Sequence, residues 1–143
     1  MTMQRLPIIY AAEVDIRFDD LDAYGHVNSS RYLDLVVTSR WRFGQTHLNY
    51  SLQSMLDRGV GIYLTRSQVR YRRAINGLQT VRVESFASDI KAGSIVVISF
   101  KITDIEQKIV YADGEIDFSA VDINSRKQMG LPAWLLDYLF YNQ

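Results

Sequence analysis

The residues that follow Gly59 alternate between apolar and polar side chains, and this alternation constrains the fold more than any other feature of the sequence. Val81 and Val83, for example, alternate with Arg82 and Glu84. A period of two is typical of strands that bury one face against a core. Four segments share this β-rich character: residues 62–72, 80–89, 94–104 and 108–122. The sequence therefore predicts four strands in the second half of the chain.

Short turn sequences separate these four segments. Asn76-Gly77 is a strong hairpin signal, because two-residue hairpin turns favour this pair. Lys91-Ala92-Gly93 and Glu106-Gln107 are further short turns. Since consecutive strands joined by short turns run in opposite directions, the sheet is predicted to be antiparallel.

The first half of the chain combines one strand with one long helix. Residues 10–18 alternate loosely and predict a strand, and residues 19–27 form a polar loop. Apolar side chains then recur at helical spacing over residues 29–47. A short second helix is predicted over residues 51–58. Near the end of the chain, LPAWLLDYLF predicts a short C-terminal helix with Pro132 in its first turn.

These elements predict an α+β fold in which one long helix packs on one face of a five-stranded antiparallel sheet. The 143 residues are enough for one domain, and no linker or repeat divides residues 1–143. One helix covers only part of such a sheet, and the sheet retains exposed edge strands. We therefore expect a homodimer or a larger homo-oligomer.

Composition excludes several functional classes. Lys and Arg (16) equal Asp and Glu (16) in number, which does not favour binding to nucleic acid. The chain has no cysteine, which excludes disulfides, thiolate nucleophiles and Cys-based metal sites. Its two histidines lack the spacing of a metal site, so no metal is expected. The apolar run near residue 8 is too short for a signal peptide or a membrane span. We expect a cytoplasmic protein with no membrane partner.

Polar residues crowd the junction between the loop and the long helix, in the stretch DDLDAYGHVNSSRY. Asn28 is a favourable N-cap residue, and it precedes the first helical amides, those of Ser29, Ser30 and Arg31. Amides of the first turn that are not capped have no partner inside the helix. Such amides either bind water, as at most helix ends, or stabilise an oxyanion that forms from a carbonyl group.

Asp22 lies a few residues before this helix start, in a loop that contains Gly25. A carboxylate beside an oxyanion site acts as a general base toward water or as a nucleophile. The alternative is ordinary loop chemistry, because Asp favours turns and caps, and for Asp19 and Asp20 this is the favoured interpretation. His26 is expected to form hydrogen bonds within the loop or to orient substrate.

The loop and the helix start together resemble a known family. Asp20-Leu21-Asp22-Ala23-Tyr24-Gly25-His26-Val27-Asn28, followed by Tyr32, is similar to the signature of hotdog-fold thioesterases. It most resembles the 4-hydroxybenzoyl-CoA thioesterase-like branch, which includes bacterial acyl-CoA thioesterases. The order of one strand, one helix and four strands resembles the hotdog layout, in which a sheet wraps around one long helix. Asp113-Gly114-Glu115 and Leu131-Pro132 also resemble this branch.

The resemblance implies roles for several residues of the loop and the helix start. Asp22 is the catalytic carboxylate, and the backbone amide of Ser29 polarises the thioester carbonyl. Asp20 is structural, Asn28 shapes the loop and Tyr32 packs below it. Together with Gly25 and His26, Asn28 and Tyr32 form the expected substrate-binding residues of the loop. The resemblance also implies a homodimer or tetramer with the active site at the subunit interface, and no cofactor, because coenzyme A is part of the substrate.

A basic segment supplies candidate partners for the phosphates of coenzyme A. Arg66, Arg70 and Arg72 lie on one predicted strand, Arg73 directly follows it, and Arg126 lies in a late loop. Guanidinium groups suit phosphate, and we take Arg72 and Arg126 as substrate-binding candidates. The alternatives are a solvated face of the sheet or a docking surface for an acidic carrier protein.

The sequence is consistent with three functions. The first is an acyl-CoA thioesterase, and the second is the same hydrolysis carried out on an acyl-acyl carrier protein. The third is a non-catalytic hotdog module that binds an acyl ligand, although such a module has no need of Asp22. A hotdog hydratase and an RNA-binding protein rank below these three, since neither has its usual pattern here.

The sequence does not specify the acyl chain. The resemblance implies an acyl tunnel along the long helix, with Leu33, Val36, Val37 and Tyr63 as candidates for its apolar lining. For each of them alone, plain core packing is the favoured interpretation.

Overall fold

The computed structural model describes residues 4–143, so residues 1–3 of the predicted domain lie outside the described part. The strands are β1 (Arg5–Pro7), β2 (Tyr10–Asp15), β3 (Val60–Tyr71), β4 (Thr80–Lys91), β5 (Ile95–Asp104), β6 (Val110–Asp122), β7 (Gln128–Met129) and β8 (Phe140–Asn142). The α-helices are α1 (Tyr32–His47), α2 (Leu52–Asp57) and α3 (Ala133–Leu136). Short 3-10 helices occupy Phe18–Asp20 and Ser29–Arg31.

The five long strands form one antiparallel sheet in the order β2-β4-β5-β6-β3, which confirms the predicted sheet. The short strand β7 extends it by pairing with Ala120 and Val121 of β6. β1 and β8 pair with each other in a separate two-stranded sheet. The sequence did not predict these short strands, because two or three residues are too few to show a period of two.

The hairpin predicted at Asn76-Gly77 is wrong. β3 pairs with β6, whereas β4 pairs with β2 and β5, so the strands on either side of this turn are not neighbours. Gly77 does adopt a positive φ of 67°, but its amide donates to the carbonyl of Gly25 at 2.8 Å. The turn therefore bends the chain toward the loop before the long helix instead of closing a hairpin. The other two predicted turns do join paired strands, β4 to β5 and β5 to β6.

The long helix packs on the sheet chiefly against β2 and β4. The 3-10 helix Ser29–Arg31 leads directly into α1, so together they fill the predicted range 29–47. Tyr32, Leu35 and Val36 are buried on the helix face that meets the sheet. This spacing of three and four residues is what an amphipathic helix requires. The predicted C-terminal helix is α3, and Pro132 is its N-cap.

Alternation on β4 shows how the sheet supports this packing. Val81 and Val83 are fully buried in the core, whereas Arg82 and Glu84 point to the opposite face and form an ion pair of 3.0 Å. The apolar face of the sheet thus meets α1. In the described range 4–143, no helix has the length and apolar character needed to cross a membrane.

β3 is an edge strand and keeps large side chains in solvent. Within residues 4–143 it pairs with β6 on one side only. Tyr63 is 65% exposed, Leu64 is 47% exposed and Tyr71 is 54% exposed. A long edge strand with exposed apolar side chains invites pairing with another chain.

Candidate active site

The loop before the helix closes on itself as a small hairpin. Leu21 and Val27 face each other as an antiparallel bridge, and the Asp22 amide donates to the His26 carbonyl at 2.7 Å. At the tip, Gly25 takes a φ of 74° and donates its amide to the Asp22 carbonyl at 3.0 Å. Glycine adopts this backbone region without the steric cost of a Cβ atom. Asp22 and His26 are therefore held at the two sides of one tight turn.

The segment after β3 holds this loop in place. The Val27 amide donates to the Ile75 carbonyl at 2.9 Å, and His26 pairs with Asn76 as an isolated bridge. Ile75 is fully buried in the core. Because the loop is bonded to a core residue, the position of Asp22 is fixed relative to the sheet.

The Asp22 carboxylate uses only one of its two oxygens for the loop. Its Oδ1 accepts hydrogen bonds from the amides of Tyr24 at 2.8 Å and His26 at 3.1 Å. Its Oδ2 accepts none from residues 4–143, and the side chain is exposed. A carboxylate held by backbone donors on one oxygen is oriented, while the other oxygen is free to meet a water molecule or a substrate.

Asn28 caps the helix as predicted. Its side chain accepts from the Ser30 amide at 3.0 Å, and its carbonyl accepts from the Arg31 amide at 2.9 Å. The amide of Ser29, between the cap and these two donors, makes no hydrogen bond within the described part of the chain. The Ser29 amide is thus available to donate to an oxygen atom of a bound molecule. The positive end of the helix dipole at this position further stabilises negative charge on that oxygen.

One open cleft of about 460 Å³ brings most of the predicted site residues together. Six of the eight predicted residues line it: Asp22, His26, Asn28, Ser29, Tyr32 and Arg72. Gly25 shapes the loop without lining the cleft. Arg126 lies in the turn between β6 and β7 with a φ of 61° and is not among the lining residues. A role for Arg126 therefore stays a prediction that the cleft of a single chain does not support.

Asp20 has the structural position that the resemblance implies. The residue is 9% exposed, and its Oδ2 accepts from the Arg17 amide at 2.8 Å. Its carbonyl accepts from the Asn28 amide at 2.8 Å, and its Oδ1 lies 3.9 Å from the Arg31 guanidinium. These contacts tie the start of the loop to the start of the helix.

Tyr71 belongs to the site, although the sequence did not indicate it. Its hydroxyl donates to the Ser29 carbonyl at 3.1 Å, and its ring packs edge-to-face with that of Tyr32, with centroids 4.9 Å apart. Tyr71 is at the end of β3, far from the loop in sequence. Only the antiparallel path of β3 beside the helix start brings it there, and no local motif carries that information.

Most of the arginines on the basic strand are paired with acids of β6. Arg66 bonds with Glu115 and Asp117 at 3.2 Å. Arg70 and Arg72 both bond with Asp113, at 2.7 Å and 2.6 Å. The Arg72 guanidinium, assisted by Arg70, holds the pKa of Asp113 below its ordinary value. Arg72 thus lines the cleft with a charge that Asp113 already offsets.

Arg73 is the cleft arginine that forms no ion pair within residues 4–143. Its backbone amide donates to the Tyr111 carbonyl at 3.0 Å, which fixes its position at the end of β3. Its guanidinium is therefore better suited than that of Arg72 to meet a phosphate group.

A second, mainly apolar cavity of about 210 Å³ lies farther along the helix, between α1, β3, β6 and α3. Of the four side chains suggested by sequence as an acyl lining, only Val37 faces it. Val36 is fully buried in the core, and Tyr63 is 65% exposed. Leu33 packs at the margin of the core. The remaining lining residues are Tyr10, Arg40, Trp41, Tyr50, Ile62, Leu64, Ile116, Phe118, Leu135, Tyr138 and Leu139.

Known proteins share this fold and sequence pattern. The long-chain acyl-CoA thioesterase FadM of Escherichia coli (strain K12) is 27% identical over 129 residues, which cover 89% of this chain and 94% of FadM. The structure of YbaW, a probable thioesterase from Escherichia coli, superimposes with a TM-score of 0.77 at 26% identity and covers 90% of this chain and 95% of its own.

A protein from Staphylococcus aureus, SAV2348, was solved in complex with CoA. It superimposes with a TM-score of 0.78 over 96% of this chain and 83% of its own, and at 12% identity it shows the fold alone. The sequence model of the thioesterase-like superfamily matches residues 16–139. The hotdog fold and the relationship inferred from the loop are thereby confirmed, and the chain belongs to the thioesterase-like superfamily of thioester hydrolases.

Proposed function

We propose that this protein hydrolyses acyl-CoA thioesters at the cleft beside the long helix, with the Asp22 carboxylate and the Ser29 amide as its catalytic groups. One observation carries the proposal: a carboxylate with a free oxygen and a helix amide with a free N–H line the same cleft. The relationship to FadM, named a long-chain acyl-CoA thioesterase, supports the substrate class.

The substrate carbonyl oxygen accepts a hydrogen bond from the Ser29 amide. As the carbonyl carbon becomes tetrahedral, negative charge develops on this oxygen, and the amide and the helix dipole stabilise it. An oxyanion donor of this kind contributes about 3 kcal/mol to the stability of the transition state. Because the Tyr71 hydroxyl donates to the Ser29 carbonyl at 3.1 Å, the peptide that directly follows the Ser29 amide is oriented before substrate binds.

Asp22 completes the reaction by one of two routes. As a general base, its free oxygen removes a proton from water while the water oxygen attacks the carbonyl carbon. As a nucleophile, it attacks the carbon itself and forms a mixed anhydride, which water then cleaves. In both routes the C–S bond breaks, the thiol leaves with a proton and one water is consumed. Neither route requires a metal or a cofactor.

Arg73 and Arg72 are proposed to bind the phosphates of the thiol carrier. Both lie in the cleft, and Arg73 brings the charge that no acid of the described chain offsets. Arg126 would reach the same phosphates only from a second subunit, since it does not line the cleft of its own chain. His26 and Asn28, also in the cleft, would position the polar part of the substrate near the carbonyl.

A homodimer through β3 fits this arrangement. β3 is a long edge strand with exposed apolar side chains, and it carries Tyr71 at one border of the cleft. Pairing of two β3 strands would continue the sheet across the subunits and satisfy the free edge. A tetramer would place two such dimers together.

A screen of the purified protein with acyl-CoAs tests the function. Release of free thiol is measured with short, long and aromatic acyl groups, and the same acyl groups are offered on acyl carrier protein. Hydrolysis of acyl-CoA at a higher kcat/KM supports the proposal. A preference for the carrier protein would favour the acyl-acyl carrier protein thioesterase, and binding without turnover would favour the non-catalytic acyl-binding module.

A further inference from the structure

The apolar cavity along the helix contains one cation, Arg40 of α1. Its guanidinium donates to the Ser85 hydroxyl at 3.0 Å, and its Cζ lies 3.9 Å over the ring centroid of Tyr10. It forms no ion pair with a carboxylate anywhere in residues 4–143. A guanidinium has five N–H donors and stays charged at any physiological pH. Most of its hydrogen-bonding capacity is therefore unused by the protein.

The neighbouring phenols do not neutralise this charge. Burial raises the pKa of Tyr10 and of Tyr50, so both remain uncharged near neutral pH. The Tyr10 hydroxyl is already used, because it donates to the Tyr138 carbonyl. Burial also lowers the pKa of Arg40, which reflects the cost of holding a cation away from water. An anion that entered the cavity would offset that cost directly.

The rest of the cavity wall is apolar, with Val37, Ile62, Leu64, Ile116 and Phe118 among its residues. Such a wall suits methylene groups but gives no partner to a guanidinium. Ligand sites commonly combine an apolar lining with a few polar groups that fix orientation. Here the one charged group faces the cavity.

The cavity also lies at a suitable distance from the proposed catalytic amide. Arg40 lies eleven positions after Ser29, which is about 17 Å along the axis of the 3-10 turn and the helix. Arginine side chains on a helix lean toward its N-terminus, so the guanidinium is nearer than this. The span matches an extended acyl chain of intermediate length, with its thioester at Ser29 and its far end at Arg40.

We propose that Arg40 recognises a carboxylate at the distal end of the acyl group, so that the enzyme prefers ω-carboxyacyl-CoA thioesters over matched chains that end in a methyl group. This inference rests on the proposed function for its catalytic part. Its recognition part is independent, because a free dicarboxylate can bind at Arg40 without turnover.

The test compares dodecanedioyl-CoA with dodecanoyl-CoA, which differ only at the distal end. Arg40→Met removes the charge and keeps the length and apolar bulk of the side chain. Arg42→Met is the matched control, because Arg42 is two residues away on α1, is exposed and bonds to the Glu13 carbonyl outside the cavity. We expect Arg40→Met to lower the kcat/KM ratio of diacid to monoacid by at least about 10-fold, and Arg42→Met to leave it within about 2-fold. Arg40→Lys keeps the charge and should retain part of the preference.

A binding measurement separates the two proposals. Dodecanedioate should raise the Tm of the wild-type protein more than dodecanol does, and Arg40→Met should abolish the difference. If the wild-type protein hydrolyses dodecanoyl-CoA but the ratio is the same in Arg40→Met, the inference about Arg40 is wrong and the proposed function stands. If no thioester is hydrolysed while dodecanedioate still binds through Arg40, the proposed function fails and the carboxylate site stands.

Discussion

The hydroxyl of Tyr71 donates a hydrogen bond to the carbonyl of Ser29 at 3.1 Å, and this contact joins the end of β3 to the first turn of the long helix. The two residues are 42 positions apart in the sequence. The Ser29 carbonyl is thereby held from the side of the sheet. The amides of the next two residues, Ser30 and Arg31, are held by the Asn28 cap.

Removal of this hydroxyl should weaken catalysis more than stability. Tyr71→Phe keeps the ring contact with Tyr32 but loses a hydrogen bond, which contributes about 1 kcal/mol. If the whole effect falls on the transition state, kcat/KM decreases about 5-fold. Tyr141→Phe is the control, since Tyr141 is also exposed on a strand and lies outside the cleft. Equal thioesterase rates in the two variants would show that Tyr71 does not orient Ser29.

Gly114 of β6 lies close to the backbone of β3, and a methyl group there should disrupt the sheet. A Cβ atom on Gly114 would lie 1.9 Å from the Gln68 carbonyl oxygen and 3.1 Å from the ring of Phe100. Since backbone cannot move aside cheaply, Gly114→Ala should lower the free energy of unfolding by about 3 kcal/mol. A Cβ atom at Gly130 would meet no atom of residues 4–143 within 4 Å, so Gly130→Ala should change the free energy of unfolding by less than about 0.5 kcal/mol. Urea titration that gave the two variants equal stability would contradict this account of the β3–β6 contact.

The ion pair between Asp113 and Arg72 should make the stability of the protein depend on pH. Arg72, with help from Arg70, holds the pKa of Asp113 below its ordinary value, so the carboxylate is favoured in the folded state. Its contribution is fully present above the pKa of the unfolded chain, near pH 4, and is lost as the pH falls through the lower folded pKa. The stability difference between wild type and Asp113→Asn should thus be constant from pH 7 to about pH 5 and shrink below about pH 4. Urea titrations at each pH measure it, and a difference that grew on acidification would oppose the prediction.

The free edge of β3 predicts self-association. A dimer would have twice the 16.5 kDa of one chain, which analytical ultracentrifugation resolves clearly. Tyr63→Asp places a charge on the exposed edge and should shift the protein toward the monomer. Tyr141→Asp, on the separate small sheet, should leave the assembly unchanged. A wild-type protein that sediments as a monomer at micromolar concentration would argue against pairing through β3.

Local patterns in the sequence predicted the long elements of the fold but not all of their partners. The alternation of Val81 and Val83 and the helical spacing after Ser29 are properties of neighbouring residues, so they could be recognised without the structure. The pairing of β3 with β6 joins segments about fifty residues apart in the sequence. The Asn76-Gly77 turn did not indicate this pairing. Turn chemistry specifies how the backbone bends and leaves open which strand it returns to.

The residues of the candidate site likewise fall into two groups, those that the local sequence predicted and those that only the folded chain brings together. Asp22 and the cap at Asn28 belong to one contiguous motif, and the sequence alone placed both. Tyr71 and Arg40 reach their positions through tertiary packing, so no spacing rule indicated them. The pairing of the arginines could not be predicted without the register between β3 and β6. Asp113 offsets the charge of Arg72 only because that register brings the two residues together.

The proposed hydrolysis depends on the Asp22 carboxylate, and one substitution tests its role. Asp22→Asn keeps an oxygen that can accept from the Tyr24 and His26 amides, so the loop should retain its shape. It removes the group that activates water or attacks the thioester. Asp19→Asn is the matched control, because Asp19 is an exposed acid of the same segment and does not line the cleft.

The measurement is the turnover of an acyl-CoA that the wild-type protein hydrolyses, followed by thiol release. We expect Asp22→Asn to lower kcat by at least about 100-fold with the fold intact, and Asp19→Asn to stay within about 2-fold of wild type. Near-normal hydrolysis by Asp22→Asn would contradict the assignment of Asp22 as the catalytic carboxylate.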